Sequence, residues 1–440
     1  MRRPVRLTVR LPVRLTARQA LARVAYTLLL RLGLPLYFAR LWWRGRREPI
    51  YRAHWNERLG GFAGLVVPGR LWIHAVSLGE TLAARPLIEA LRAQQPKLQL
   101  LLTHGTATGR TAGQALLRPG DAQAWLPYDT PGAVRRFLRL QQPAVGVLME
   151  TEVWPNLLHA AQQAAVPLVL ANARLSPRSL AKAHRVRALL QPAVASLTRV
   201  LAQTAADAQR LREAGALTTE VMGNLKFDLN PDPAQLAQGR AWREGLQRPV
   251  VLMASSREGE EPALLAAWLQ QPAPRPLLLL VPRHPQRFDA VAAMLLNAGL
   301  QLQRRSAWAH TPPAEAACAD VWLGDSIGEM PLYYALADVA LLGGSFEPLG
   351  GQNLIEAAAC GCPLVMGPHT FNFAQAAELA LAAGAALRVD TLAAAVQRAQ
   401  VLLADPGLPA WRGRALAFAA QHRGAAARMA AAVLAASAAQ

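Results

Sequence analysis

Short apolar runs alternate with longer amphipathic stretches along most of the chain. LWIHAV, LQLLLTH, VGVLM, PLVLANA, PVVLMASS, PLLLLVP, VWLG and VALLGG are continuous apolar segments, as strands buried on both faces are. Each leads into a turn rich in Gly, Ser, Thr or Pro and then into a segment with helical spacing. Repeated in this way, the pattern predicts an α/β protein built on parallel sheets. The clearest stretch is Gly324 to Phe373. VWLGD enters it as a strand, EMPLYYALAD follows as a helix, VALLGGS as a second strand, NLIEAAAC as a helix and CPLVMG as a third strand. A helix opening near Asn353 behind Gly350 and Gly351 offers free N–H groups and a positive dipole end to a phosphate. Glu356, one turn in, is placed to accept ribose hydroxyls. No period of 20–50 residues repeats, which excludes a solenoid.

Polar residues at strand ends carry the candidate chemistry, because ligands of open α/β sheets gather there. Glu80 follows LWIHAV in the turn SLGE; favouring the dipole of the helix it opens is the plainer role. Glu150 and Glu152 follow the strand ending at Met149, where solvent is the default neighbour. Lys226 follows TEVMG. Arg283 ends PLLLLVP, where its fork matches phosphate oxygens. VPLVLANARLSPRS reads as a strand leading into an Arg/Ser loop. The polar stretch Leu229 to Trp242 reads as the interdomain linker.

The length, 440 residues, suits two domains plus an appendage. Residues 1–21 read as basic and irregular. Val24 to Trp43 is strongly apolar but carries Arg31, Pro35 and Arg40. A central Arg costs about 2.5–3.5 kcal/mol in a spanning helix, so an in-plane interfacial helix is favoured over a span. The net charge of +19 invites a nucleic-acid reading. However, only Lys97, Lys182 and Lys226 are lysines, which points to compositional arginine bias. Twelve Arg fall in the first 47 residues, ahead of the first carboxylate, Glu48. With no nucleic-acid-binding signature, anionic lipid is the better partner for that arm. Cys318, Cys360 and Cys362 cannot form a disulfide framework and read as reduced, mostly buried residues.

The ordered motifs RLWWRGR, HAVSLGET, LPYDTP, METEVWPNL, NARLSPRS, GNLKFD, REGEE, VPRHPQRF, GDSIGEM, GGS, NLIEAAA and MGPHTFNF resemble those of the bacterial lipid A Kdo (3-deoxy-D-manno-octulosonic acid) transferases. The resemblance runs from about Tyr26 to about Gln421. It implies a GT-B fold, two Rossmann-like domains facing a central cleft, with an N-terminal membrane-associated helix. Residues 1–48 would be the basic arm and that helix, 49–230 the acceptor domain with the catalytic base, and 231–440 the CMP-Kdo domain with a helical tail. The implied reaction is inverting transfer of Kdo from CMP-Kdo to the tetraacyl disaccharide bisphosphate precursor of lipid A. It would need no metal or other cofactor and would run at the cytoplasmic face of the bacterial inner membrane. Glu80 matches the family's proposed base. Glu150 and Lys226 match positions assigned to transition-state stabilisation. Pro282, Arg283, Ile327, Gly328, Glu329, Asn353, Leu354, Ile355 and Glu356 match the CMP-contacting segments. With base and donor set in different domains, the cleft is expected to close for chemistry. Two positions depart from the pattern: Arg257 and Gln352 stand where some members carry His. A nucleotide-sugar epimerase on the same fold, or a basic membrane- or nucleic-acid-binding protein, are the alternatives the residues leave open.

Overall fold

The computed structural model describes residues 15–228 and 230–438. The chain divides into two compact units, one running through Asp228 and taking in the segment from Arg423 onward, the other ending at His422.

The first unit holds a seven-stranded sheet: β1 (Leu71–His74), β2 (Leu100–His104), β3 (Ala122–Trp125), β4 (Val145–Met149), β5 (Leu168–Ala173), β6 (Arg199–Ala202) and β7 (Thr219–Val221). Its order is β3-β2-β1-β4-β5-β6-β7 and every pairing is parallel. The order reverses between β1 and β4, the switch point where doubly wound sheets bind ligands. Side chains alternate across the sheet. Leu71 and Ile73 of β1 join one core with Leu87, Ile88 and Leu91 of helix Leu78–Gln94. Trp72 faces the other core with Phe137, Leu157 and Leu158.

The second unit repeats the plan with β8 (Val250–Ser256), β9 (Leu277–Pro282), β10 (Leu302–Arg304), β11 (Val321–Leu323), β12 (Val339–Leu342), β13 (Leu364–Met366) and β14 (Ala386–Arg388). The order is β10-β11-β9-β8-β12-β13-β14, again parallel, with its switch point between β8 and β12.

Four expectations need correction. The end of the tail does not belong to the second unit. Helix Ala425–Ser437 lays Ala425, Met429, Ala430, Val433 and Ala436, a small-residue stripe at helical spacing, on the core of the first. Asp228 holds its start, its carboxylate accepting the N–H groups of Gly424 and, at 2.5 Å, Ala426. Most of Leu229 to Trp242 is helix Pro233–Glu244 rather than linker. Asp232 caps it through Ala234 N–H at 2.9 Å, and Pro233 fills the first helical position. The Arg/Ser loop after β5 contains helix Pro177–Arg185, capped by Ser176. That helix buries none of its residues, so it lacks the apolar stripe that would have announced it.

The fourth correction is at the N-terminus. Residues 1–14 of the basic arm lie outside the described residues, but a helix begins at Ala17, within the stretch expected to be irregular. Helix Ala17–Arg44 starts with a capping box between Thr16 and Gln19 and runs through Pro35. By length and composition it could cross a membrane. Its two faces differ. Leu21, Val24, Leu28, Leu29, Leu32 and Leu36 are exposed. Tyr26, Thr27, Tyr37 and Leu41 turn to the first unit, where Tyr37 and Phe38 pack against Tyr128, the Tyr37 ring edge-on at 4.3 Å.

Candidate active site

In the first unit the site is built on the adjacent ends of β1 and β4. Register places His74 beside Leu148, and Val76 and Glu150 each follow that pair by two residues. Ser77 caps helix Leu78–Gln94 by accepting the Glu80 N–H at 3.4 Å. The Glu80 carboxylate folds back, and its Oε2 accepts the Val76 N–H at 2.6 Å. One oxygen is therefore pinned by backbone. Burial pushes this half-buried carboxyl above the usual carboxylate range. The Val76 N–H pulls it back, and the charge of Glu150 pushes it further up.

Glu150 is the first residue beyond β4 and adopts a left-handed backbone, φ 58°. Its N–H still bonds to Ala171 O at 2.9 Å, so the sheet ladder continues while the side chain is re-aimed. The residue is only 6% exposed. Its Oε2 accepts Nε–H of Arg174 at 2.9 Å, and Nη2 of the same guanidinium forms an ion pair with it at 2.9 Å. Lys226 feels the same carboxylate. Burial lowers the Lys226 ammonium, Glu150 raises it and Arg174 lowers it. Glu152 completes the turn. Burial pushes its carboxyl up to about 7, with the charges of Glu80 and Glu150 adding and Trp154 opposing. The paired carboxylates of METE were visible in the sequence, but Glu152 was not among the expected site residues; burial beside Glu80 is what sets it apart.

The loop that carries Lys226 is fixed by Asn172, fully buried in β5 at φ 52°. Asn172 Oδ1 accepts the Leu225 N–H at 3.1 Å, and its carbonyl accepts from Gln203, whose side chain receives Asn224. The motifs NARLSPRS and GNLKFD are thus one structure. His74 and His104, by contrast, are buried in the sheet and pushed by burial down to about 3 and about 4, so both are neutral packing residues.

In the second unit Arg283 follows β9 and is exposed, its N–H bonded to Ser256 O at 3.0 Å. Glu356 faces it; burial raises the Glu356 carboxyl and the Arg283 charge opposes the rise. Asn353 caps helix Leu354–Ala359 by accepting the Ile355 N–H at 3.2 Å, with Leu354 and Ile355 side chains in the core. Gly350 and Gly351 take φ 92° and 74°, a turn that L side chains rarely adopt. Pro282 is buried at the strand end and Ile327 is 81% exposed. Gly328, at φ 85°, gives its carbonyl to Gln235 at 3.0 Å. Glu329 is not a free carboxylate: Arg305, Ser326 and Tyr333 contact it at 2.6, 2.5 and 3.3 Å.

Two further acids, quoted in the sequence only as part of REGEE, build this side. Glu260 accepts the N–H groups of Arg257, Gly344 and Phe346 at 2.8, 2.8 and 3.2 Å. Glu261 binds Ser256 at 2.7 Å and both terminal nitrogens of Arg287 at 2.6 and 3.0 Å. Arg257 and Gln352, the two departures, meet across Gly344: a Cβ there would lie 3.2 Å from Gln352 Nε2 and 3.5 Å from Arg257 Cγ. Cys360 and Cys362 are buried, but Cys318 is exposed. Among the described residues no three His, Cys, Asp or Glu side chains are arranged to hold a metal.

Two doubly wound parallel sheets with polar residues at both switch points make this a GT-B fold. Anabaena HepE, solved in complex with UDP, is similar in fold, with a TM-score of 0.53 and 17% identity over 83% of this chain and 99% of its own. The family model for 3-deoxy-D-manno-octulosonic-acid transferase (kdotransferase) matches residues 53–229. The chain is 49% identical to the 3-deoxy-D-manno-octulosonic acid transferase of Bordetella pertussis over 92% of its own length and 97% of the relative's. It is 35% identical to that of Haemophilus influenzae over 86% and 89%. The chain therefore belongs to the Kdo transferase family, enzymes that transfer Kdo in lipopolysaccharide and lipid A biosynthesis.

Proposed function

We propose that the second unit holds CMP-Kdo and that the first supplies the base that activates a hydroxyl of the lipid A precursor. Glu80 carries this reading. It is a half-buried carboxylate at the switch point, with one oxygen fixed by Val76 N–H and a proton affinity raised by burial. A base nearer in pKa to the working pH accepts a proton more readily. The acceptor oxygen bonds to the anomeric carbon, the bond from that carbon to the CMP phosphate breaks with its electron pair going to CMP, and Glu80 takes the hydroxyl proton.

Glu150 orients cations in this scheme. It fixes the Arg174 guanidinium and keeps Lys226 charged against burial, so both oppose the negative charge that develops on the departing phosphate. Arg283, facing Glu356, is the matching cation of the donor side, and the backbone around Gly328 and Asn353 frames the nucleotide. No metal enters this chemistry. The exposed leucines of helix Ala17–Arg44 and the arginines at its two ends suit an in-plane position at the cytoplasmic leaflet, where an acylated acceptor lies.

The direct test is CMP release from purified protein with CMP-Kdo and a tetraacyl acceptor. Glu80→Gln should lower kcat at least ~10²-fold, the usual span for a general base being about 10²–10⁴. Turnover of that variant near the wild-type rate would remove Glu80 from the role.

A further inference from the structure

Helix Pro155–Gln163 begins immediately after the Glu150–Trp154 turn, and its own N-cap residue, Trp154, makes no side-chain capping bond. The cap comes from elsewhere in the chain. Asp129, 2% exposed, accepts the Asn156 N–H on Oδ2 at 3.0 Å and the Leu157 N–H on Oδ1 at 2.7 Å. Asn156 Nδ2 returns a bond to Asp129 O at 2.7 Å. The same two residues grip the N-terminal helix. Tyr26 Oη donates to Asp129 Oδ2 at 2.9 Å, and Asn156 Nδ2 donates to Thr27 Oγ1 at 3.0 Å. Thr27 and Asn156 are both buried, which is unusual company for a helix whose other side is a run of exposed leucines.

We infer that Asp129 and Asn156 are positioning residues: they clasp the N-terminal helix to the turn that carries Glu150 and Glu152, so that the seating of the helix sets the geometry of the acceptor side of the reaction. LPYDTP and the WPN of METEVWPNL would then be two halves of the clasp, although neither supplies a reacting group. The inference rests on the reading that this turn is part of the reaction site. The physical argument is one of leverage. The first-turn amides of helix Pro155–Gln163 and the side chains of Tyr26 and Thr27 converge on a single buried carboxylate and its amide neighbour. Movement of the N-terminal helix therefore cannot leave the start of the second helix, three residues past Glu152, where it was. A misplacement of about 1 Å at a reacting group costs up to about 10²-fold in rate.

The test uses the full-length protein in vesicles carrying the tetraacyl acceptor. A Tyr26→Phe, Thr27→Val double variant removes the hydroxyls from the helix side while keeping shape, and Asp129→Asn removes the charge from the other. Both should lower kcat for transfer by about 10- to 100-fold with the KM for CMP-Kdo unchanged. Amide hydrogen exchange should quicken across residues 150–157 and stay as in the wild type in helix Leu78–Gln94. Thr27→Ser, which keeps the hydroxyl, should restore the rate relative to Thr27→Val. A double variant with wild-type kcat and unchanged exchange at 150–157 would overturn the clasp, as would a loss accompanied by equally faster exchange throughout the unit. Should Asp129→Asn fail to fold, the helix-side variant still decides. Loss of the site reading is separable: an active Glu80→Gln enzyme would withdraw that reading, whereas the exchange pattern would still report the clasp.

Discussion

Both units end a strand beside the switch point with a non-glycine residue in the left-handed region, Glu150 at φ 58° after β4 and Ser255 at φ 59° within β8. What surrounds them differs. Around Glu150, three carboxylates crowd a turn. Burial raises Glu80 and Glu152, and the cations Arg174 and Lys226 interact with Glu150. Around Ser255 the acids are tied into the structure: Glu260, whose carboxyl burial and the charge of Glu261 also raise, by three backbone N–H groups, Glu261 by Arg287 and Ser256, and Glu329 by Arg305 and two hydroxyls. Raised carboxyls with few backbone bonds, such as Glu80 with Val76 N–H on one oxygen, suit the side that moves a proton. Acids fully spent on loop amides mark a side that holds a shape. The fold is repeated, and the division of labour lies in whether the carboxylates are satisfied.

That contrast breaks most directly at Glu260. It is buried and ties the Gly343–Phe346 loop to the start of helix Glu260–Leu269. Glu260→Ala leaves three backbone donors unpaired and should destabilise the second unit by about 3 kcal/mol. That corresponds to a fall in Tm of roughly 6–12 °C for a unit of this size, read by calorimetry. Glu80→Gln, by the same measure, should leave Tm nearly unmoved while removing turnover. If Glu260→Ala unfolds at the wild-type temperature and loses activity instead, the acids of the two units are not divided as described.

Next in size is Arg283. It is exposed, with Glu356 as its nearby charge and its own N–H committed to Ser256 O. Arg283→Ala should raise the KM for CMP-Kdo by about 10- to 100-fold, the worth of a charge-assisted phosphate contact, and leave kcat within a few-fold. A change in kcat with KM fixed would move Arg283 from holding the donor to stabilising the transition state.

Strands β4, β8, β9, β11 and β12 were legible because they are apolar on both faces, and the switch points were legible because polar residues follow such strands at once. That rule marked Glu80, Glu150 and Lys226 as polar positions at strand ends, while their roles came from the family resemblance; the structure gathers the three into one unit. The wiring was less visible. Nothing local says that Asp228 caps a helix starting at Ala425, nearly 200 positions on, or that Asp129 caps one starting at Pro155. Such caps are set by tertiary packing, which short-range spacing does not encode. The Ala-rich segments from Ala374 onward gave weak signals for the same reason: β14 has three residues, and the helices around it pack through alanine, which favours a helix wherever it occurs. The DP step of Asp232–Pro233 was a readable helix start that the surrounding polarity obscured.

The smallest effect expected is at Glu152, and its sign separates a strained acid from a merely buried one. Its carboxyl is raised to about 7 from the ordinary 4.5. A group whose folded-state pKa is raised stabilises the fold fully below its unfolded value, and that contribution is lost as pH climbs through the folded one. The wild type should therefore lose stability across the window from about 4.5 to about 7. Glu152→Gln, which cannot ionise, should be spared that loss. After allowance for solvent reaching the half-buried side chain, the variant should be more stable than the wild type by about 1 kcal/mol at about pH 8, and the difference should vanish on acidification. Catalysis should not follow. Glu152 keeps its proton up to about 7 because burial and the charge of Glu80 oppose its ionisation, so Glu152→Gln removes no charge while Glu80 titrates. The acid limb of the kcat–pH profile should then stay in place. A limb that moves down would show Glu152 charged while the base titrates. Loss of turnover with the fold intact would make Glu152, not Glu80, the base.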